Sequence, residues 1–242
     1  MKRKTNHHIT RLLTTCLTAF TLACLSPQAL AATITTQESA LDAIFSQASF
    51  GMNTIDIRFG AAQTIVAPDL LDITSDAEIG TLFGMHIGPA NVINFFYVDS
   101  ISSCGTIDPN IIGCAALNDP NLVVESSFAA GPNGAELLAH ELAHNLGLDH
   151  NSGSMLPNLM DPTINGSTAI TVAQVMIMLA AGQMSGILQS DASGQLFVEV
   201  IPVLVVAAVP LPAALWLLLT ALGGLAGLKR LRPTQSRQTA IA

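Results

Sequence analysis

The chain has 242 residues, of which 17 are acidic and nine are basic, and its formal net charge at pH 7 is −8. All 17 acidic residues lie between Glu38 and Glu199, where Arg58 is the only basic residue, so this part alone has a net charge near −16. Such a surface repels nucleic-acid phosphates and anionic lipids, which excludes a nucleic-acid-binding role. The carboxylates would attract Ca²⁺, but no D-x-[DN]-x-[DN]-G loop supports such a site, and we interpret them as a solvated acidic surface.

The N-terminal residues have the order of a secretory signal peptide. Residues 1–11 contain four basic residues, an apolar run follows from Leu12 to about Leu25, and Ala29-Leu30-Ala31 matches an A-x-A cleavage pattern. A short buried helix is the alternative, but it does not account for the basic start. We therefore predict that residues 1–31 are a signal peptide, removed by a signal peptidase after Ala31.

Residues 32–208 are enough for one domain, and they contain no internal repeat. Apolar spacing and alternation predict helices at 35–50, 135–148 and 172–181, and strands at 55–60, 92–101 and 121–128. Thr35-x-x-Glu38 is a candidate capping box for the first helix, and Thr171 is a candidate cap for the last, which we expect to close the domain. Strands that precede a long helix place the fold in the α/β or α+β class.

Cysteine usage agrees with export. Cys16 and Cys24 would leave with the signal peptide, so Cys104 and Cys114 remain. In an oxidising compartment two such cysteines most simply pair. The alternative, a zinc site, is poor because no histidine lies nearby in the sequence. We predict a Cys104–Cys114 disulfide.

The stretch HELAHNLGLDH, from His140 to His150, contains three histidines and one glutamate. His140 and His144 lie one helical turn apart on the same face, where both imidazoles can bind one Zn²⁺ at about 2.0–2.1 Å. Gly147 suits the left-handed turn that ends many helices, which allows His150 to return as a third ligand. Three protein ligands leave the fourth position to water, as in catalytic zinc sites, and Glu141 can take a proton from that water.

This pattern, H-E-x-x-H-x-x-G-x-x-H, resembles that of the metzincin metallopeptidases and is complete here. Metzincins carry a methionine in a tight turn beneath the zinc, and Met160 in the sequence NLMDP (158–162) resembles it. Met155 is a second candidate, but the sequence around Met160 fits the metzincin pattern better. The only tyrosine, Tyr97, does not follow this methionine by two residues, so the extra phenol that some metzincins place near the metal is not expected.

The resemblance implies a secreted zinc endopeptidase with a twisted mixed sheet, a long zinc-binding helix and a C-terminal helix. One catalytic Zn²⁺ would polarise the scissile carbonyl of a protein or peptide substrate, and Glu141 would act as the general base. Metzincin substrates usually lie along an edge strand beside the zinc helix. Residues 121–131 directly precede this helix and are the expected edge.

Residues 209–232 (VPLPAALWLLLTALGGLAGLKRLR) form an apolar segment closed by basic residues. The apolar part is long enough for a membrane-spanning helix, whose basic end would stay in the cytoplasm. The segment resembles a PEP-CTERM sorting signal of the VPLPA variant, with a motif of Val209, Pro210, Leu211, Pro212 and Ala213. This resemblance implies a Gram-negative source, transient anchoring in the inner membrane, processing by an exosortase, and a final location at the cell surface, in the matrix or in the medium. A plain C-terminal anchor is the alternative.

Two other functions are compatible with these residues. A matrix-associated structural or adhesive protein could use zinc only to stabilise its fold, and a metal-dependent hydrolase could act on non-peptide bonds. Glu141 argues against the first, because a structural zinc site does not need a carboxylate beside its ligand.

Overall fold

The computed structural model describes residues 33–151 and 156–208, together with Thr220. The predicted signal peptide lies outside the described residues, as does the predicted sorting signal apart from Thr220. Among the described residues, no helix is both long and apolar enough to cross a membrane.

Residues 33–208 form five α-helices and nine β-strands in the part of the chain that the structure describes. The α-helices are α1 (Glu38–Ile44), α2 (Asp76–Phe83), α3 (Ser126–Ala129), α4 (Gly134–Asn145) and α5 (Val172–Ser185). The strands are β1 (Ile55–Phe59), β2 (Gln63–Val66), β3 (Asp72–Ile73), β4 (Val92–Val98), β5 (Ser100–Ile101), β6 (Gly113–Ala115), β7 (Asn121–Glu125), β8 (Gln189–Ser190) and β9 (Leu196–Val206). Short 3₁₀ turns at Ala48–Phe50 and Pro68–Leu70 complete the described elements.

A mixed sheet forms the centre of the molecule, as expected for the α/β or α+β class. Its order is β1-β9-β4-β7-β6, in which β6 runs antiparallel to β7 and the other neighbours are parallel. β2 and β8 also pair with β9, while β3 and β5 form a separate two-stranded sheet. Every residue of β4 is buried, as suits its β-branched and aromatic residues, and β4 covers most of the strand predicted at 92–101.

Helices cover both faces of the sheet. One core cluster joins Ile93, Phe95 and Tyr97 of β4 to residues of α1, α4 and α5. A second cluster joins Phe96 and Val98 to α2, so successive residues of β4 belong to opposite faces. α4 therefore lies against the sheet along most of its length, which restricts the side chains that it carries.

The last strand, β9, contradicts the expectation that the helix at 172–181 closes the domain. β9 follows α5 and lies in the middle of the sheet, between β1 and β4. Its Pro202 is unusual for a central strand, because proline cannot donate a hydrogen bond to a neighbouring strand. On the side of β1 and β2, however, pairing with β1 ends at Val200 and pairing with β2 begins at Val203. Pro202 occupies the gap between these two partners.

The ends of the helices differ from expectation at one position and agree at another. The predicted Thr35–Glu38 capping box is wrong, because α1 begins after Gln37, which has a φ of 52° and no side-chain cap. Thr171 does cap α5: its hydroxyl accepts from the backbone N–H of Gln174, whose side chain in turn accepts from the backbone N–H of Thr171. α5 extends to Ser185, beyond the predicted end at residue 181.

The predicted disulfide is confirmed. Cys104 and Cys114 are bonded, with 5.8 Å between their Cα atoms. Cys114 lies in β6, the edge strand, and Cys104 lies in the loop after β5. The bond therefore ties the edge of the sheet to a neighbouring loop.

Candidate metal centre

α4 supplies the first residues of the candidate site. The chain leaves β7, forms the single turn α3, and enters α4 at Gly134, where a β-carbon would overlap the backbone of Ala129. Leu138, Leu142 and Ala143 of α4 are fully buried. Burial on this scale determines the rotation of the helix about its axis, and with it the direction of His140, Glu141 and His144.

The turn at Gly147 brings the chain back towards the helix, as predicted. Gly147 has a φ of 91°, and its N–H donates to the carbonyl of His144. A β-carbon at this position would lie 2.5 Å from the Cβ of Ala181 and 3.0 Å from Oδ1 of Asn118. Glycine is therefore required both by the left-handed backbone and by the close contact with α5.

His140, His144 and His150 converge on one point. Their Nε2 atoms lie 3.1 Å apart for His140 and His144, 3.2 Å for His140 and His150, and 3.3 Å for His144 and His150. Ligand bonds of about 2.0–2.1 Å in tetrahedral geometry separate neighbouring donor nitrogens by about 3.3–3.4 Å. The three histidines therefore form a cluster that could hold a metal ion.

The opposite ring nitrogens of two histidines face backbone carbonyls. Nδ1 of His140 lies 2.7 Å from the carbonyl oxygen of Leu159, and Nδ1 of His144 lies 2.6 Å from that of Leu148. A carbonyl oxygen can only accept, so each Nδ1 carries the proton and each Nε2 keeps its lone pair for a ligand. Burial lowers the pKa of His140 to about 4 and also lowers the pKa of His144, which favours the neutral rings that a metal requires.

Glu141 is buried beside the three histidines. Its side chain accepts no hydrogen bond from any residue that the structure describes, and burial raises its pKa to about 8. A buried carboxylate without a partner is costly, so such a group indicates a position prepared for a ligand or a proton. The adjacent backbone belongs to Gly113 of β6, where a β-carbon would overlap Oε1 of Glu141.

A cleft of about 600 Å³ opens next to Glu141, His140 and His150. One wall is the edge of the sheet and the residues before it, and the opposite wall is the segment after Met160. The side chains and backbone along these walls belong to Ile111, Ile112, Gly113, Leu137, Asp161, Pro162, Thr163 and Ile164. The cleft therefore combines apolar walls with the polar groups of the candidate metal centre, the composition typical of ligand sites.

Met160 is fully buried and belongs to the same core cluster as α4. Its N–H donates to Oδ1 of Asn158, and its carbonyl accepts from the N–H of Asn151, the residue after His150. Asn158 in turn exchanges two side-chain hydrogen bonds with Gln174 of α5. These bonds tie the predicted methionine turn to both the third histidine and α5. The alternative candidate, Met155, lies outside the described residues.

The prediction that residues 121–131 form the edge strand beside the helix is wrong. Residues 121–131 do not form an edge, because β7 lies between β4 and β6 and ends at Glu125, where α3 begins. The edge beside the cleft is β6, a three-residue antiparallel strand that sequence analysis did not predict. A strand this short, composed of Gly113, Cys114 and Ala115, has too few residues for an alternating pattern.

Glu136 is a further buried carboxylate that sequence analysis missed. It lies one turn before His140 in α4, and it accepts backbone hydrogen bonds from Asn165 at 2.9 Å and from Gly166 at 3.0 and 2.9 Å. These bonds attach the segment after Met160, which lines the cleft, to the helix that carries the histidines. The sequence feature that could have indicated its role is its position four residues before His140, because residues at this spacing share a helix face.

No protein-family model matches the chain, and no curated protein matches it either.

Proposed function

We propose that the protein is an exported zinc-dependent endopeptidase. The observation that carries the proposal is the convergence of three histidine Nε2 atoms, 3.1–3.3 Å apart, next to the buried carboxylate of Glu141, which has no hydrogen-bond partner among the described residues. A structural zinc site is normally closed by four protein ligands, whereas the described residues supply three. The remaining position opens on the cleft.

The donor set fits Zn²⁺, which neutral imidazole nitrogens bind well. Bound there, Zn²⁺ would polarise a carbonyl and lower the pKa of water towards about 7. Glu141 would accept the proton of the attacking water and later transfer it to the leaving amine. Without a metal, burial raises the pKa of Glu141 to about 8. The positive charge of a bound Zn²⁺ would lower it towards neutrality, where a carboxyl group can both accept and release a proton.

The metzincin resemblance supports the same proposal. The eleven-residue pattern is complete, Met160 is packed in the core that holds α4, and an antiparallel edge strand lies beside the cleft. An extended peptide that paired with β6 would run along the cleft past Glu141. The walls of the cleft would then receive the side chains on either side of the scissile bond.

Export is part of the proposal. The signal-peptide pattern and the PEP-CTERM-like segment support passage through the inner membrane, with signal peptidase and an exosortase as processing partners. The Cys104–Cys114 disulfide supports it independently, because such bonds persist in oxidising compartments.

The test combines metal analysis with digestion of casein and gelatin by the exported protein. We expect about one zinc per chain, and activity that a chelator removes and zinc restores. Glu141→Gln, which keeps the size of the side chain but cannot accept the proton, should lower the activity by more than 100-fold while the zinc stays bound. Glu199→Gln, at an exposed position of β9, is the matched control and should leave the activity unchanged.

A second candidate is a matrix-associated structural protein in which zinc only stabilises the fold. Stoichiometric zinc together with no proteolysis of either substrate would favour it over the peptidase. Proteolysis that survives in Glu141→Gln to within a few-fold would contradict the role assigned to this residue.

A further inference from the structure

Gly113 and Glu141 are 28 positions apart in the sequence but lie in contact. A β-carbon at Gly113 would overlap Oε1 of Glu141 and lie 2.8 Å from its Cδ, and it would also lie 2.8 Å from Cδ1 of Leu137. Real β-carbons are not found this close to other heavy atoms. The carboxylate of Glu141 therefore occupies the space that any other residue in the edge strand would fill.

The backbone conformation does not explain this glycine. Gly113 is not among the residues with positive φ, so its strand conformation suits any residue. Glycine weakens a strand, and within one it often marks a place where another group approaches closely. At Gly113 that group is the side chain of Glu141. The close approach of Glu141, and not the backbone conformation, therefore explains why position 113 has no side chain.

The edge strand is held so that it cannot move away from α4. Gly113 pairs with Val124 of β7, and the carbonyl of the preceding Ile112 accepts from the N–H of Glu125 at 2.8 Å. The next residue, Cys114, is tied by its disulfide to Cys104. A side chain added at Gly113 would consequently displace Glu141 and Leu137 rather than the strand.

We propose that Gly113 is a positioning residue for Glu141. Its missing side chain leaves room for the carboxylate, and its backbone limits how far the carboxylate can move from the three histidines. The inference rests on the proposed function, in which Glu141 carries the proton of the reaction. A displacement of about 1 Å in a reacting group can lower a rate by about 100-fold.

Gly113→Ala in the full-length, zinc-loaded protein tests this role. We expect kcat on a peptide substrate to fall at least tenfold, while KM stays within about threefold and the zinc content is unchanged. The side chains that move are those of Glu141 and Leu137, and neither is a candidate zinc ligand or part of the edge strand. A general loss of structure would instead lower the zinc content or raise KM. Gly80→Ala is the matched control, since a β-carbon at Gly80 in α2 meets no atom within 4 Å. A kcat within twofold of wild type in Gly113→Ala would overturn the proposal.

A stability measurement tests the contact between Gly113 and Glu141 without an activity assay. Gly113→Ala should lower Tm, and the loss should be smaller by about 2–4 °C or more when Glu141→Ala has already removed the carboxylate. An equal loss in both backgrounds, or failure of the double variant to fold, would place the obstruction at Leu137 alone and overturn the proposal. If wild-type protein cuts no peptide but the two Tm losses differ, the proposed function fails while the contact between Gly113 and Glu141 stands.

Discussion

The imidazole of His140 is hydrogen-bonded through Nδ1 to the carbonyl oxygen of Leu159, the residue immediately before Met160, at 2.7 Å. One histidine therefore joins the helix that carries the candidate ligands to the turn that follows them. The bond sets the tautomer of the ring, so that Nε2 faces the other two histidines. Loss of this ring would affect the metal and the turn together.

Substitutions of the candidate ligands and of Glu141 should have different effects on metal binding. We expect His140→Ala and His144→Ala to lose most of the bound zinc, because two histidines hold the ion much more weakly than three. Glu141→Ala should keep its zinc and lose the activity, since Glu141 is not a ligand in this arrangement. Zinc content by elemental analysis, measured on the same samples as peptide cleavage, checks both. Stoichiometric zinc in His140→Ala would contradict the assignment of the site.

Glu136→Gln should loosen one wall of the cleft. The amide leaves one neutral oxygen to accept from the N–H groups of Asn165 and Gly166, and it puts an NH₂ group, which cannot accept, where Oε2 accepts from the N–H of Gly166. We expect a loss of about 1–3 kcal/mol in the free energy of unfolding. We also expect KM to rise several-fold with less change in kcat, because residues 161–164 line the cleft and Glu136 holds the segment that follows them.

Urea unfolding and steady-state kinetics on the same preparation measure both effects of Glu136→Gln. Glu38→Gln, at an exposed position in the first turn of α1, is a suitable control. An unchanged KM together with lower stability would show that Glu136 supports only the fold.

The local part of the site was predictable from sequence, whereas the long-range part was not. His140, Glu141, His144, Gly147 and His150 lie within eleven residues, so helical geometry and one glycine turn are enough to bring them together. The contact between Gly113 and Glu141 depends instead on the pairing of β6 with β7, which no local pattern encodes. The same holds for the bonds from Glu136 to the segment after Met160.

β9 was not predicted from the sequence, and its neighbouring residues explain why. Its sequence, LFVEVIPVLVV, is followed within three residues by the apolar segment at 209–228, and it contains a proline. Both features make a central strand hard to recognise from the sequence. The gap between β1 and β2 opposite Pro202 is a property of the assembled sheet, and only the structure reveals it.

The two buried rings of His140 and His144 should destabilise the metal-free protein as the pH falls from about 6.5 to about 4. The folded-state pKa of His140 is lowered to about 4 by burial, and that of His144 is lowered for the same reason, relative to an ordinary value of 6.5. At these two rings the unfolded chain therefore binds more protons than the folded chain in this window, so their protonation favours unfolding. Stability from these two rings is complete above pH 6.5 and is lost as the pH falls through the window.

Thermal unfolding of the chelator-treated protein across this range measures that dependence. Carboxyl groups also titrate in this range, and Glu141 acts in the opposite direction because burial raises its pKa to about 8. The comparison is therefore with His140→Gln/His144→Gln, in which only the contribution of the two rings is absent. Equal slopes of Tm against pH in both proteins would contradict the prediction.

The intact mass of the extracellular form tests the sorting signal. An exosortase acting at the VPLPA motif should leave a mature chain that ends near residue 210. A mass that still includes Trp216 and the basic residues after it would leave only a permanent anchor and would remove the exosortase from the proposal.

The position of β9 in the sheet limits the positions in the sequence at which the chain can be cut without loss of the fold. β9 ends at Val206 and is the partner of β1, β2, β4 and β8, so any cut before Val206 would remove pairing from the centre of the sheet. Its Val198 and Val200 also belong to the core cluster that packs against α4, which carries His140 and His144. A chain that ends at residue 208 should therefore unfold cooperatively and bind zinc, and a chain that ends at residue 195 should do neither. Circular dichroism melts and zinc analysis of the two truncated proteins check this, and a cooperative, zinc-binding product that ends at 195 would show that β9 is dispensable for the candidate site.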